Sequence, residues 1–191
     1  MTDDEQRQID AIAAGQRDAF ETVYRAHKDP LLTAAAILLR GDRAVAEDVL
    51  HDVFIQLVEQ AASLRLKSSL RNYLMTCCLN RARDYLRRQA AHRKYLEDSV
   101  PPVAEEKNAV DGLAAQEQQI RVIQLLSMLP DEQREAVTLR IHGELTFAEI
   151  ADVIGVSVNT AKSRYRYALE KLQQWWPTDE IEQESKDVER T

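Results

Sequence analysis

The 191 residues are 45% hydrophobic and contain only 5 Gly and 5 Pro, which argues for a helical chain long enough for one or two small domains. The longest apolar stretch, Leu31 to Leu39, is far below the roughly 20 residues that cross a bilayer, and the polar, acidic start MTDDEQRQID is unlike a signal peptide, so a cytoplasmic protein is expected. The formal charge of -7 is unevenly spread: residues 65–95 carry 9 basic and 1 acidic group and residues 157–172 carry 4 and 1, against an acidic background elsewhere.

Helical periodicity dominates and no hairpin signal occurs, so the expected fold is all-α, two small helical domains joined by a flexible linker. Residues 1–17 read as an N-terminal extension. The first domain, 18–95, is expected to hold a helix from Asp18 to Arg40, kinked or divided at Pro30 and stopped by Gly41, a second from Arg43 to Glu59, and a third, basic one from Ser69 to Ala91. On the second helix Ala46, Val49, Leu50, Val53, Phe54 and Leu57 share one stripe. Glu47, Asp48, His51, Asp52 and Glu59 share the other with Ile55, an apolar residue ringed by acids that suits docking of a basic partner.

The third helix interleaves Arg71, Arg81, Arg83, Arg87 and Arg88 with Tyr73 and Tyr85. Such cations suit phosphates and the rings suit unstacked bases, although tyrosines on a charged helix also serve as core. Cys77 and Cys78 are adjacent, lack metal-site spacing, and read as small buried hydrophobes. Residues 96–113, with paired prolines and many charges, read as the linker.

The second domain, 114–176, is expected to contain helices at Gln116–Met128, Pro130–His142, Phe147–Ile154 and Val158–Trp175, with Trp175 and Trp176 sealing its core, followed by an acidic, disordered tail at 177–191. Thr146-Phe-Ala-Glu149 has the form of a capping box, Gly155 permits a tight stop, and Ser157 is a good N-cap, which together give helix-turn-helix spacing. Val158, Ala161, Tyr165, Ala168, Leu169 and Leu172 fall on one side of the last helix. Asn159, Thr160, Ser163, Arg166 and Tyr167 fall on the other, flanked by Lys162 and Arg164, with no carboxylate before Glu170. Amides, hydroxyls and guanidinium groups on one acid-free face are what base edges and phosphates require.

These stretches resemble the bacterial extracytoplasmic-function (ECF) sigma factors, which keep only regions 2 and 4. Residues Ala19 to Val58 look like the first two helices of region 2, NRARDYLRR (Asn80 to Arg88) is similar to an Asn-x-x-x-Asp-x-x-Arg signature, and Leu129 to Leu172 resembles region 4. The chain departs from many relatives at SSLRNYL, which lacks a tryptophan after a basic loop, and at His51, where glutamine is common.

The resemblance implies a promoter-specificity subunit of RNA polymerase. Glu47, Asp48, Asp52 and Ile55 would meet core polymerase. Arg71, Asn80, Arg83, Asp84, Arg87 and Arg88 would act at the -10 element, while Ser157, Asn159, Thr160, Lys162, Ser163, Arg164 and Arg166 would act at the -35 element. Its partners would be core RNA polymerase and promoter DNA, with an anti-sigma factor left open. No catalysis, cofactor, metal site, small-molecule substrate or membrane insertion is expected, since the four histidines are dispersed and no HExxH, phosphate loop or nucleophile elbow is present. The competing readings are a stand-alone helix-turn-helix repressor or activator, marked by a palindromic footprint, and a helical adaptor. The acidic flanks further predict that the free chain binds promoter DNA poorly, and that a fragment from Ala114 to Trp176 binds it better.

Overall fold

A computed structural model describes residues 3–97 and 114–176. Most of the expected linker, 98–113, and the acidic tail, 177–191, lie outside the described residues. Among the described residues there are eight helices and no strand: α1 (Asp3–Ala13), α2 (Arg17–Leu38), α3 (Arg43–Gln60), α4 (Leu70–Glu97), α5 (Ala114–Ser127), α6 (Asp131–Ile141), α7 (Phe147–Ile154) and α8 (Val158–Trp175).

The stretch read as an extension is mostly helix α1, which lays Ile9 and Ile12, both buried, against the first lobe. Gln6 ties it down further, donating to the Leu64 carbonyl at 3.2 Å and accepting from the Leu66 amide at 3.2 Å. Helices α2, α3 and α4 pack mutually around Leu31, Ala35, Val53, Phe54, Leu57, Leu74 and Leu79. The stripe expected on α3 is buried residue for residue, and Asp42 caps that helix by accepting from the Val45 amide.

Helix α2 runs unbroken through Pro30, contrary to the expected division. An internal proline costs about 3 kcal/mol, but Val23 on one side and Leu31, Ala34 and Ala35 on the other are all buried, so packing holds both halves in line. Helix α4 continues to Glu97 and takes up the first two residues of the expected linker.

The second lobe packs α6, α7 and α8 together, with α5 against α8. Thr146 and Glu149 form the full capping box, Gly155 stops α7 in the left-handed region at φ 71°, and Ser157 caps α8 by accepting from the Thr160 amide. Gly143, before this unit, is constrained by space. A β-carbon there would sit 2.5 Å from the Leu139 carbonyl oxygen, so only glycine permits the chain to turn from α6 toward α7.

The two lobes share a seam. Ile37 of α2 is fully buried, and its neighbours are Leu126, Leu129, Val137 and Ala168 of the second lobe, with Trp175 packed on the same cluster. Leu139, Leu145, Ile150, Ala151 and Ala161 are in turn continuous with the core of the first lobe.

Candidate nucleic-acid and polymerase interfaces

On α3 the expected docking face is present as a surface. Glu47, Asp48, His51, Asp52 and Glu59 are exposed, and Ile55 among them is 55% exposed. Val58, which the sequence reading passed over, is 48% exposed one turn further on and extends the apolar spot; its i+3 spacing from Ile55 was the available signal. Part of the acid is internally paired: Glu47 accepts from Arg43 at 3.2 Å, and Asp52 from Arg81 at 3.3 Å. Asp48 and Ile55 stand on the same solvent-facing side of a helix whose other face is fully committed to the core.

The basic helix α4 divides into two sets. Asn80, Arg87 and Arg88 are exposed, and Asp84 pairs with Arg87 at 3.0 Å. Arg71 and Arg83 instead reach across the seam. Arg83 donates through Nε and one terminal nitrogen to the two carboxylate oxygens of Glu135, both at 2.6 Å, a fork that holds its guanidinium pKa above the usual range. Arg71 donates to the His142 carbonyl at 3.2 and 2.9 Å and pairs with Glu144 at 2.8 Å.

Tyr73 and Tyr85 are half-buried and pack on the first core, and Tyr73 donates to Gln60 at 2.9 Å. Burial, then the neighbouring Cys77, pushes the Tyr73 hydroxyl to about 12. Cys77 and Cys78 are buried free thiols, and burial pushes Cys78 to about 12, so its reactive thiolate is suppressed.

On α8, Ala161 and Ala168 are buried, and Tyr165, Leu169 and Leu172 are half-buried, as the helical spacing predicts. Val158, in the first turn of α8, departs from that stripe at 39% exposed. Asn159, Lys162, Arg166 and Tyr167 form the exposed strip, with Ser163 and Thr160 half-buried beside it.

Three of the expected DNA-contacting side chains carry structural duties as well. Ser157 spends its hydroxyl on the cap, 3.1 Å from the Thr160 amide, and lies 2.8 Å from the Thr160 hydroxyl. Arg164 is only 20% exposed and pairs with Glu132 of α6 at 2.9 Å. Arg166 lies 5.0 Å over the Tyr167 ring and 3.6 Å from Glu170, so its guanidinium has both an aromatic and a carboxylate neighbour.

Arg134 had no sequence signal as a buried group. It is 1% exposed, donates to the Ser127 and Leu129 carbonyls at 3.2 and 2.9 Å, and pairs with Asp131, which in turn pairs with Arg40 of α2 at 2.8 Å. Burial lowers its pKa, while Asp131 opposes that. Among the described residues no helix is long and apolar enough to cross a membrane, and no group of three or more His, Cys, Asp or Glu is placed to hold a metal ion.

Comparison with known proteins matches the Sigma-70 region 2 family model to residues 23–92 and the Sigma-70 region 4 model to residues 119–172. The ECF RNA polymerase sigma factor SigM of Mycobacterium tuberculosis is 33% identical over 162 residues, covering 85% of this chain and 79% of that protein. SigK of Mycobacterium ulcerans, another ECF sigma factor, is 29% identical over 174 residues, covering 90% and 92%. Among solved structures, CnrH in complex with the cytosolic domain of CnrY shares the fold, with a TM-score of 0.65 at 23% identity over 91% of this chain and 97% of that one. The sigma factor RpoE of Bartonella quintana, solved with the anti-sigma factor NepR, has a TM-score of 0.59 at 25% identity over 81% and 94%. With both family regions in order on separate helical lobes, and relatives of this identity along nearly its whole length, the chain belongs to the ECF sigma factors of RNA polymerase.

Proposed function

We propose that this sigma factor acts in the cytoplasm as a non-catalytic specificity subunit whose parts divide the work by segment. Residues 18–95 serve as the polymerase-binding and -10 unit, 96–113 as the connecting linker, 114–176 as the -35 unit, and 177–191 as an acidic appendage. Core polymerase docks on Glu47, Asp48, Asp52 and Ile55. The -10 element is met by Asn80, Asp84, Arg87 and Arg88, joined by Arg71 and Arg83. The -35 element is met by Asn159, Lys162, Ser163 and Arg166, with Ser157, Thr160 and Arg164 contributing from their structural positions. An anti-sigma partner, as RpoE has in NepR, belongs to the same reading.

The observation that carries this assignment is the pairing of two unlike exposed faces on one chain. One is an acidic face with an apolar centre on α3, and the other is a carboxylate-free strip on the first three turns of α8, behind a fully capped turn. The first fits a protein partner and the second fits a DNA groove. Asp48→Arg combined with Ile55→Ala tests the first face, since both residues are exposed and neither supports the core. The variant should keep wild-type helicity and lose co-elution with core polymerase. Unchanged co-elution would remove these residues from the docking surface.

A further inference from the structure

We propose that Gln6 of α1 is a positioning residue for the -10 strand: its side-chain amide sets the α3–α4 loop, residues 61–69, so that Arg65 and Lys67 stand outward as phosphate contacts. The -10 surface then includes that loop as well as α4. The inference deepens the reading of the first lobe as the -10 unit and rests on it.

An amide side chain offers N–H donors and a carbonyl side by side, as the edge of a β-strand does. Gln6 uses them on two backbone groups of the loop, donating through Nε2 to the Leu64 carbonyl and accepting at Oε1 from the Leu66 amide, both at 3.2 Å. Nε2 also donates to Asp10 Oδ1 at 3.0 Å, so α1 itself holds the amide in that orientation. The two loop bonds fix the backbone on either side of Arg65. Leu64 packs on the core and Leu66 is buried, whereas Arg65 and Lys67 are exposed. Such alternation is what an extended segment gives when one of its faces is held. The Arg65 side chain, 71% exposed, donates to the Leu64 carbonyl at 2.9 Å and lies 3.9 Å from Asp10. An exposed ion pair of that length is weak, and a phosphate can displace it.

Glu5 acts on the other end of the loop and gives an independent indication. Its Oε1 accepts from the Leu70 amide at 3.2 Å, in the first turn of α4. That turn has no acidic residue of its own, and Ser69 caps the Asn72 amide, so α1 supplies the carboxylate that the helix N-terminus favours. Ile9 and Ile12 bury apolar surface further along α1, which keeps the helix docked without either polar side chain. The loop sequence, AASLRLKSS, contains no acid and no aromatic ring, so its charged side chains are the two cations. It leads into the basic helix α4 and begins about 15 Å along that helix from Asn80, within the span of one bound strand.

The test uses the full chain assembled with core polymerase and a labelled mixed-sequence single strand of about 20 nucleotides, with core alone as the baseline. Anisotropy gives the affinity over a series of salt concentrations, because each phosphate contact on a single strand adds about 0.7 to the slope of log affinity against log salt. Arg65→Gln with Lys67→Gln should flatten the slope by about 1.4, and Gln6→Met, which keeps the side chain's length but loses its hydrogen bonds, by at least about 0.7. Gln8→Met makes the same change elsewhere on α1, and Arg7→Gln with Arg17→Gln makes the same charge change at exposed sites; both should leave the slope as in the wild type. Added to the variant lacking both loop cations, Gln6→Met should change neither slope nor affinity, since a residue acting only through those cations has nothing left to position. A role in folding alone would instead lower affinity at unchanged slope and in both backgrounds. A wild-type slope in Arg65→Gln with Lys67→Gln would remove the loop from the -10 surface. A wild-type slope in Gln6→Met, or additive losses in the triple variant, would remove Gln6 as its positioning residue. Strand binding by the wild-type assembly no tighter than by core alone would overturn both. Promoter-directed transcription by the wild type with core polymerase, run alongside, shows separately whether the sigma reading of the first lobe stands.

Discussion

Ile37 is the sharpest probe of how the two lobes depend on each other. It belongs to α2 of the first lobe but is fully buried among Leu126, Leu129, Val137 and Ala168 of the second. Replacing it with alanine removes three carbons from a packed site that the backbone of a 22-residue helix cannot collapse to fill. Such a change costs about 2–5 kcal/mol. With a urea dependence of about 2 kcal/mol per molar, the unfolding midpoint should fall by roughly 1–2.5 M.

Tryptophan fluorescence makes the assay specific, because the chain's 2 tryptophans, Trp175 and Trp176, both end α8 in the second lobe. Ile37→Ala should therefore shift a transition reported entirely from the other lobe. Ile55→Ala, on the exposed face of α3, should move it by less than about 0.5 kcal/mol. If the fluorescence midpoint of Ile37→Ala matches that of Ile55→Ala, Ile37 does not support the second lobe and the seam is not a shared core.

Three other outcomes are expected. Gly143→Ala forces a β-carbon against the Leu139 carbonyl and should lower stability by about 2 kcal/mol or more, measured by urea denaturation; a midpoint unchanged from wild type would contradict the turn geometry. His27 and His142, both half-buried, have pKa values lowered by burial and then by Arg71; the Arg71 partner Glu144 lies on the α6–α7 turn, and Glu5 on α1 opposes the shift at His27. Their neutral forms are the folded ones, so their stabilisation is complete above the unfolded value of about 6.5 and is lost as pH falls below it. The urea midpoint should thus decline from pH 7 to pH 5.5, more steeply than in His27→Gln with His142→Gln. Arg166→Ala should cost about 1–3 kcal/mol at a matched -35 element and relax preference at one base position; wild-type ratios between matched and mutated elements in transcription assays would remove Arg166 as a reader.

The helix-turn-helix was legible because its signals are local. Thr146, Glu149, Gly155 and Ser157 each act on backbone groups within four residues, so their identities and spacing suffice. The α3 stripe was legible for the same reason, since its periodicity is that of one helix. Helix α1 was passed over because its two buried residues, Ile9 and Ile12, are set in a strongly polar stretch whose burial depends on the first lobe already being there.

The seam had no sequence signature at all. Arg83 looks like a phosphate ligand and Glu135 like a solvated helical acid, and only a fold that brings positions 52 residues apart together reveals that they satisfy each other. Arg134 was hidden by the general preference of arginine for the surface, since its partners are carbonyls at the end of the preceding helix and turn, which composition does not display. Helical spacing places Val158 on the apolar side of α8 but carries no information on how deeply a first-turn residue is covered, and it is 39% exposed.

The central claim is that this chain confers promoter specificity on RNA polymerase, and reconstitution tests it most directly. The full-length protein should co-elute with core polymerase and direct transcription from a promoter carrying matched -10 and -35 elements, with synthesis depending on both the protein and the promoter. Binding of the protein to a palindromic duplex, with no gain of promoter-dependent synthesis when it is added to core polymerase, would contradict the account.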